Sequence, residues 1–108
     1  LAGVSEHLSN ATNIHMAIAN IPTERCSTTH YHTNCESAIY VLSGSGLFIH
    51  GENMETEDEI SAGDFIFVPE GVLHQPVNTG DTDLTLIVAR NTPTEIVEEK
   101  PGLGRTDC

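Results

Sequence analysis

The stretch GDFIFVPEGVLHQPVN, residues 63–78, reads as a strand, a proline–glycine turn and a short returning strand. Phe65–Val68 is a compact apolar run of β-branched and aromatic residues, the composition of a pleated, half-buried strand. Pro69 has no N–H to give to a ladder and so ends that strand. Gly63 allows a tight start, and Gly71 supplies the permissive backbone that the turn needs. The return then carries His74 back beside the first strand.

The same punctuation runs through the rest of the chain. IHMAI (14–18) places Ile14, Met16 and Ile18 on one face and His15 on the other. AIYVL (38–42) runs into the turn GSG, LFIH (47–50) follows, and GEN turns again. LTLIVAR (84–90) is bounded by NTGDTD before it and NTP after it. Apolar residues rarely recur at helical spacing. Short strands separated by roughly 8 to 12 residues predict an all-β sandwich or small barrel. Tyr40, Phe48, Phe65 and Phe67 are expected in the core rather than a pocket, with the strand register deciding which of them face a cavity. It places an edge strand around Thr94–Val97 and a loose end over 98–108.

HYHTNCE, residues 30–36, carries the chemistry. In an extended chain His30 and His32 point to one face, with Cα atoms about 6.5–7 Å apart. Two imidazoles at that separation reach a common ion at about 2.0–2.2 Å from each nitrogen. Tyr31 points the other way, and Glu36, at an even spacing from His32, stays on the histidine side if the chain remains extended. An inward His74 completes a set of three nitrogens and one oxygen.

Composition limits the partners. The formal charge is −12, which disfavours phosphate backbones and anionic membrane surfaces. GENMETEDEI and EIVEEK read as solvated loops or edges, without the spacing of a calcium loop. There is no apolar run of about 18 residues and no signal-peptide pattern in the first residues. Cys26, Cys35 and Cys108 are odd in number with no CxxC pair, which predicts a reduced, cytoplasmic chain. His7, His15 and His50 read as ordinary surface or edge histidines, Cys35 as a packed thiol and Arg25 as a surface cation, while an inward arginine, Arg25 or Arg90, would favour a carboxylate substrate. Asn78 is expected to tie the turn back to its strand. No nucleophile with a matched base and no phosphate cradle emerges.

Gly63, Pro69, Gly71, His74 and Asn78 fit the pattern G-x5-P-x-G-x2-H-x3-N at every spacing, and His30, His32 and Glu36 fit H-x-H-x3-E. In these two motifs the chain resembles the cupin superfamily, over residues 30–78. It departs from the first motif twice: Glu24 stands where the leading glycine belongs, and seven residues rather than six separate Glu36 from Gly44. The alternative family spacing would place the acid at Ser37, a poor ligand, so Glu36 is kept with a one-residue bulge between Glu36 and Tyr40.

The resemblance implies a jelly-roll β-barrel (double-stranded β-helix) with residues 1–108 as one domain. It also implies a divalent metal on His30, His32, Glu36 and His74. Imidazole and carboxylate suit Fe, Mn, Ni, Co or Zn alike. The activity it implies is metal-dependent chemistry on a small molecule, of dioxygenase, decarboxylase, isomerase or lyase type, with an oxidoreductase favoured. A non-catalytic module that binds a small ligand is the alternative. A homodimer is expected through the strand at Ile14–Ile18, with neither nucleic acid nor membrane as partner.

Overall fold

The computed structural model describes all residues 1–108. Its elements in chain order are β1 (Ala2–Val4), α1 (Glu6–Ser9), β2 (His15–Ile21), β3 (His30–His32), β4 (Ser37–Ser43), β5 (Ser45–His50), β6 (Thr56–Ser61), β7 (Phe65–Val68), β8 (His74–Asn78), β9 (Leu84–Arg90) and β10 (Val97–Glu99). Two five-stranded antiparallel sheets form, in the orders β1-β2-β9-β4-β7 and β10-β3-β8-β5-β6. The all-β double-stranded β-helix expected from the two motifs is the fold observed.

The core is the sum of alternating strand faces. In β4 the odd residues Ser37, Ile39 and Val41 are buried. In β9 the even residues Leu84, Leu86 and Val88 are buried, which sets Arg90 on the inward side at the strand's end. Ile39, Val41, Leu84, Leu86 and Val88 join Ile21, Phe48, Ile60 and Val68 in one cluster between the sheets. A smaller cluster of Ile49, Met54 and Val77 lies on the second sheet. Asn78 is buried and ties three points together: its Nδ2 donates to the Ile21 and Thr82 carbonyls, and its Oδ1 accepts from the Gly80 N–H. The structural role expected for it is the one observed.

Four expectations are corrected. First, Phe65 and Phe67 are not core: they are 82% and 63% exposed. Strand β7 turns Val68 inward instead, so the phenylalanines lie on the outer face. Second, β2 is not an edge, because β1 covers one side of it and β9 the other. Its Ile14-Met16-Ile18 side faces out, and His15 faces Arg90 with Nδ1 to Nη1 at 3.4 Å.

Third, the cysteines are not all reduced. Cys26 and Cys108 form a disulfide with Cα atoms 5.5 Å apart across 82 residues, leaving only buried Cys35 free. Spacing in the chain could not show this, because the tail returns through space to reach Cys26. Fourth, the C-terminal residues are docked rather than loose. Val97–Glu99 pairs with β3. Fully buried Gln75 accepts from the Arg105 N–H and donates to its carbonyl, and the Thr29 hydroxyl donates to the Leu103 carbonyl. The acidic run Thr56–Ser61 is an exposed edge strand, as its charge suggests.

Candidate metal centre

Three elements bring the histidines together. His30 and His32 share one face of β3, and His30 lies directly opposite His74 of β8. The turn after β7 sets that register. Gly71 adopts φ +79°, and its N–H donates to the His32 carbonyl at 2.9 Å. The ring centroids are 4.3 Å apart for His30–His74, 5.3 Å for His30–His32 and 5.4 Å for His32–His74. One ligand nitrogen from each ring lies within 4.8 Å of the others. Phe48 stacks on His74 at 5.7 Å and closes the floor toward the core.

The hydrogen bonds choose the tautomers. His30 Nδ1 lies 2.7 Å from the Thr28 carbonyl, and His74 Nδ1 lies 2.9 Å from the Val72 carbonyl. A carbonyl only accepts, so both Nδ1 atoms carry the proton and each Nε2 keeps a free lone pair. Burial holds both imidazoles below their usual value, His74 down to about 3, with neighbouring imidazoles acting in the same direction. At neutral pH these are uncharged rings with free nitrogens, the state that binds a cation. His32 Nε2 is buried and makes no hydrogen bond. By donor chemistry, tautomer and convergence, the trio fits a divalent transition-metal ion.

The carboxylate is where expectation and structure part. Glu36 is exposed and lies outside the trio. The chain leaves the extended form after His32, so even spacing no longer keeps Glu36 on the histidine side. Asn34 drives the turn: its Nδ2 donates to the Thr94 carbonyl, and its Oδ1 accepts from the Ile96 N–H. The expected bulge between Glu36 and Tyr40 is absent, because β4 pairs with β7 without a break from Ser37 to Tyr40. The irregularity lies further on, between Val41 and Ser43. Ser37 therefore takes the inward position, where its buried Oγ has no partner.

Two residues outside the motifs stand at the site. Glu95, between β9 and β10, brings Oε2 to 2.7 Å from His32 Nε2. Arg90 points inward and places Nε 2.9 Å from the same oxygen. These contacts are close but not aligned as hydrogen bonds. His32 holds the Glu95 carboxyl below its ordinary range and Arg90 assists, against the opposing effect of burial. Nothing local marks Glu95, which reaches His32 only because β10 pairs with β3. Arg90 was legible in principle, since it continues the buried even face of β9. Arg25 is exposed, as expected. His50 pairs with Asp58 at 2.7 Å at the surface, apart from the trio.

The double-stranded β-helix and the three-histidine cluster define the class. A cupin domain matches residues 17–90, and the chain belongs to the cupin family. No curated protein matches it. Among solved structures it shares its fold with a conserved double-stranded β-helix protein from Klebsiella pneumoniae, at TM-score 0.80 and 13% identity over 93% of this chain and 76% of that one. A cupin-superfamily sugar phosphate isomerase from Silicibacter pomeroyi superposes at TM-score 0.73 and 21% identity, over 92% of this chain and 64% of that one. An oxalate decarboxylase from Lactobacillus farciminis, solved with formate, superposes at 0.80 and 21%, over 92% and 30%. At these identities the likeness is one of fold.

Proposed function

We propose that the protein is a metal-dependent cupin enzyme acting on a small carboxylate-bearing molecule, of oxidoreductase or lyase type. The observation that carries this reading is the convergence of three imidazoles, two of them (His30 and His74) held neutral by burial, on one point of the barrel interior. His30, His32 and His74 would hold Fe, Mn, Ni, Co or Zn, and such an ion supplies Lewis-acid polarisation of an oxygen-bearing guest. The carbonyls of Thr28 and Val72 fix the ring orientations of His30 and His74. Arg90 places a guanidinium beside the cluster, which favours an anionic guest through charge-assisted hydrogen bonds. Phe48 and the core behind it give the site an apolar wall. The oxalate decarboxylase neighbour, solved with formate, is in keeping with a small acid.

The test is turnover of a library of small acids by protein loaded with each metal in turn, read as oxygen uptake and carbon dioxide release. Metal-dependent turnover that disappears in a His30→Ala, His32→Ala double variant is the expected result. Thermal stabilisation by an acid with no product from any metal form would overturn the enzyme reading and leave a ligand-binding module.

The Cys26–Cys108 pair favours an oxidising compartment over the cytoplasm expected from cysteine spacing. A homodimer also remains our reading, with its contact moved from the β2 edge to a sheet face. Met16, Ile18, Phe65 and Phe67 leave an apolar outer surface on the first sheet that a second copy would cover. Sedimentation velocity is expected to show twice the mass of one chain. A single-chain mass at micromolar concentration would remove this reading.

A further inference from the structure

The inward position on β4 that the family pattern reserves for an acid holds Ser37 in this chain, and Glu36 beside it is exposed. A histidine trio without a carboxylate leaves a bound dication unneutralised. The carboxylate that does reach the trio comes from a different part of the fold. We propose that Glu95, on the segment joining β9 to β10, supplies the carboxylate ligand of the metal site in place of Glu36.

The contact geometry supports this. Glu95 Oε2 and His32 Nε2 are 2.7 Å apart, both buried, and not aligned as a hydrogen bond. Two adjacent donors of an octahedral ion, each at about 2.1 Å, lie roughly 3 Å apart. Both atoms are buried without an aligned hydrogen-bond partner, and they stand at close to the separation that shared ligation needs. Oε2 stands beside the trio rather than within it, and a change of glutamate rotamer would complete the approach.

The backbone around Glu95 is also held for the purpose. The Asn34 side chain clamps the residues on either side, through the Thr94 carbonyl at 2.9 Å and the Ile96 N–H at 2.8 Å. The Thr33 N–H donates to the Ile96 carbonyl, and Arg90 holds the carboxylate itself. Asn34 thus docks the Glu95 segment beside the histidines, while the Glu36 N–H is held by the Asn91 side chain at 3.0 Å.

This inference rests on the three-histidine reading, and the experiment separates the two. Full-length protein, Glu95→Gln and Glu36→Gln are titrated with cobalt(II) chloride against a competing chelator, and the visible absorption of the cobalt form is recorded. Glu95→Gln is expected to weaken the Kd at least about tenfold, as loss of even an outer partner does, and to change the cobalt spectrum. Glu36→Gln should match the parent in both. Glu95→Asp, which keeps the charge, should recover part of the affinity and serves if the glutamine variant folds poorly. Weakening by Glu36→Gln alone, or no weakening by either variant, overturns the assignment of Glu95. A parent protein that binds no cobalt overturns the three-histidine reading beneath it.

Discussion

His74→Ala is expected to abolish metal-dependent stabilisation of the protein. The parent, at a metal concentration one hundred times its Kd, should gain about 2.7 kcal/mol over the chelated form. His74 comes from β8 and is set directly opposite His30 of β3, so its ring bridges two strands that otherwise share little pairing. With it gone, His30 and His32 remain as a same-strand pair, one donor short, and the affinity should fall by about two orders of magnitude or more. The comparison to make is the difference in melting temperature with and without metal, for parent and variant separately. That difference removes the cost of truncating a buried ring packed on Phe48, which lowers both melting points of the variant together. An unchanged metal-induced shift in His74→Ala would remove His74 from the site.

What was legible in the sequence follows from how locally each feature is determined. Strand β9 could be read to the residue because Leu84, Leu86 and Val88 alternate with half-exposed positions between two turn signals. The β7–turn–β8 unit was legible because Pro69 and Gly71 act through their own backbone restrictions. His30 and His32 needed only a three-residue strand to share a face. Glu36 stands apart from the histidines for a physical reason. Its assignment assumed four more residues of extended chain, and Asn34 bonds instead to a segment 60 residues away. Glu95, the Cys26–Cys108 pair and the docked tail share that character, since each depends on the C-terminal arm returning to β3 and β8. The outward Phe65 and Phe67 show a further limit. An apolar strand of alternating large residues has two faces, and only its neighbours in the sheet decide which one turns in.

Acid should destabilise the chelated protein more steeply than its carboxylates alone explain, and His74 is the reason. Burial, with neighbouring histidines assisting, lowers its folded-state value from 6.5 to about 3. Between those limits the unfolded chain takes up a proton that the folded chain refuses. The unfolded state therefore binds more protons, and stability falls as pH drops from about 6.5 toward 3. The full range is worth on the order of 5 kcal/mol for this one group. His30 is shifted in the same direction and adds to the loss. Glu95 is shifted down from 4.5, so its contribution is lost at lower pH, below its ordinary range. Urea unfolding in the presence of a chelator at pH 7, 5.5 and 4.5 measures the slope, and His74→Gln, which cannot titrate, isolates the histidine. The parent should lose stability across all three points, and the variant should lose clearly less, keeping only the contribution of His30 and the carboxylates. Equal slopes would mean that the ring is not held neutral by its surroundings. Bound metal should steepen the dependence of the parent, because each ligand nitrogen must stay unprotonated for the ion to remain.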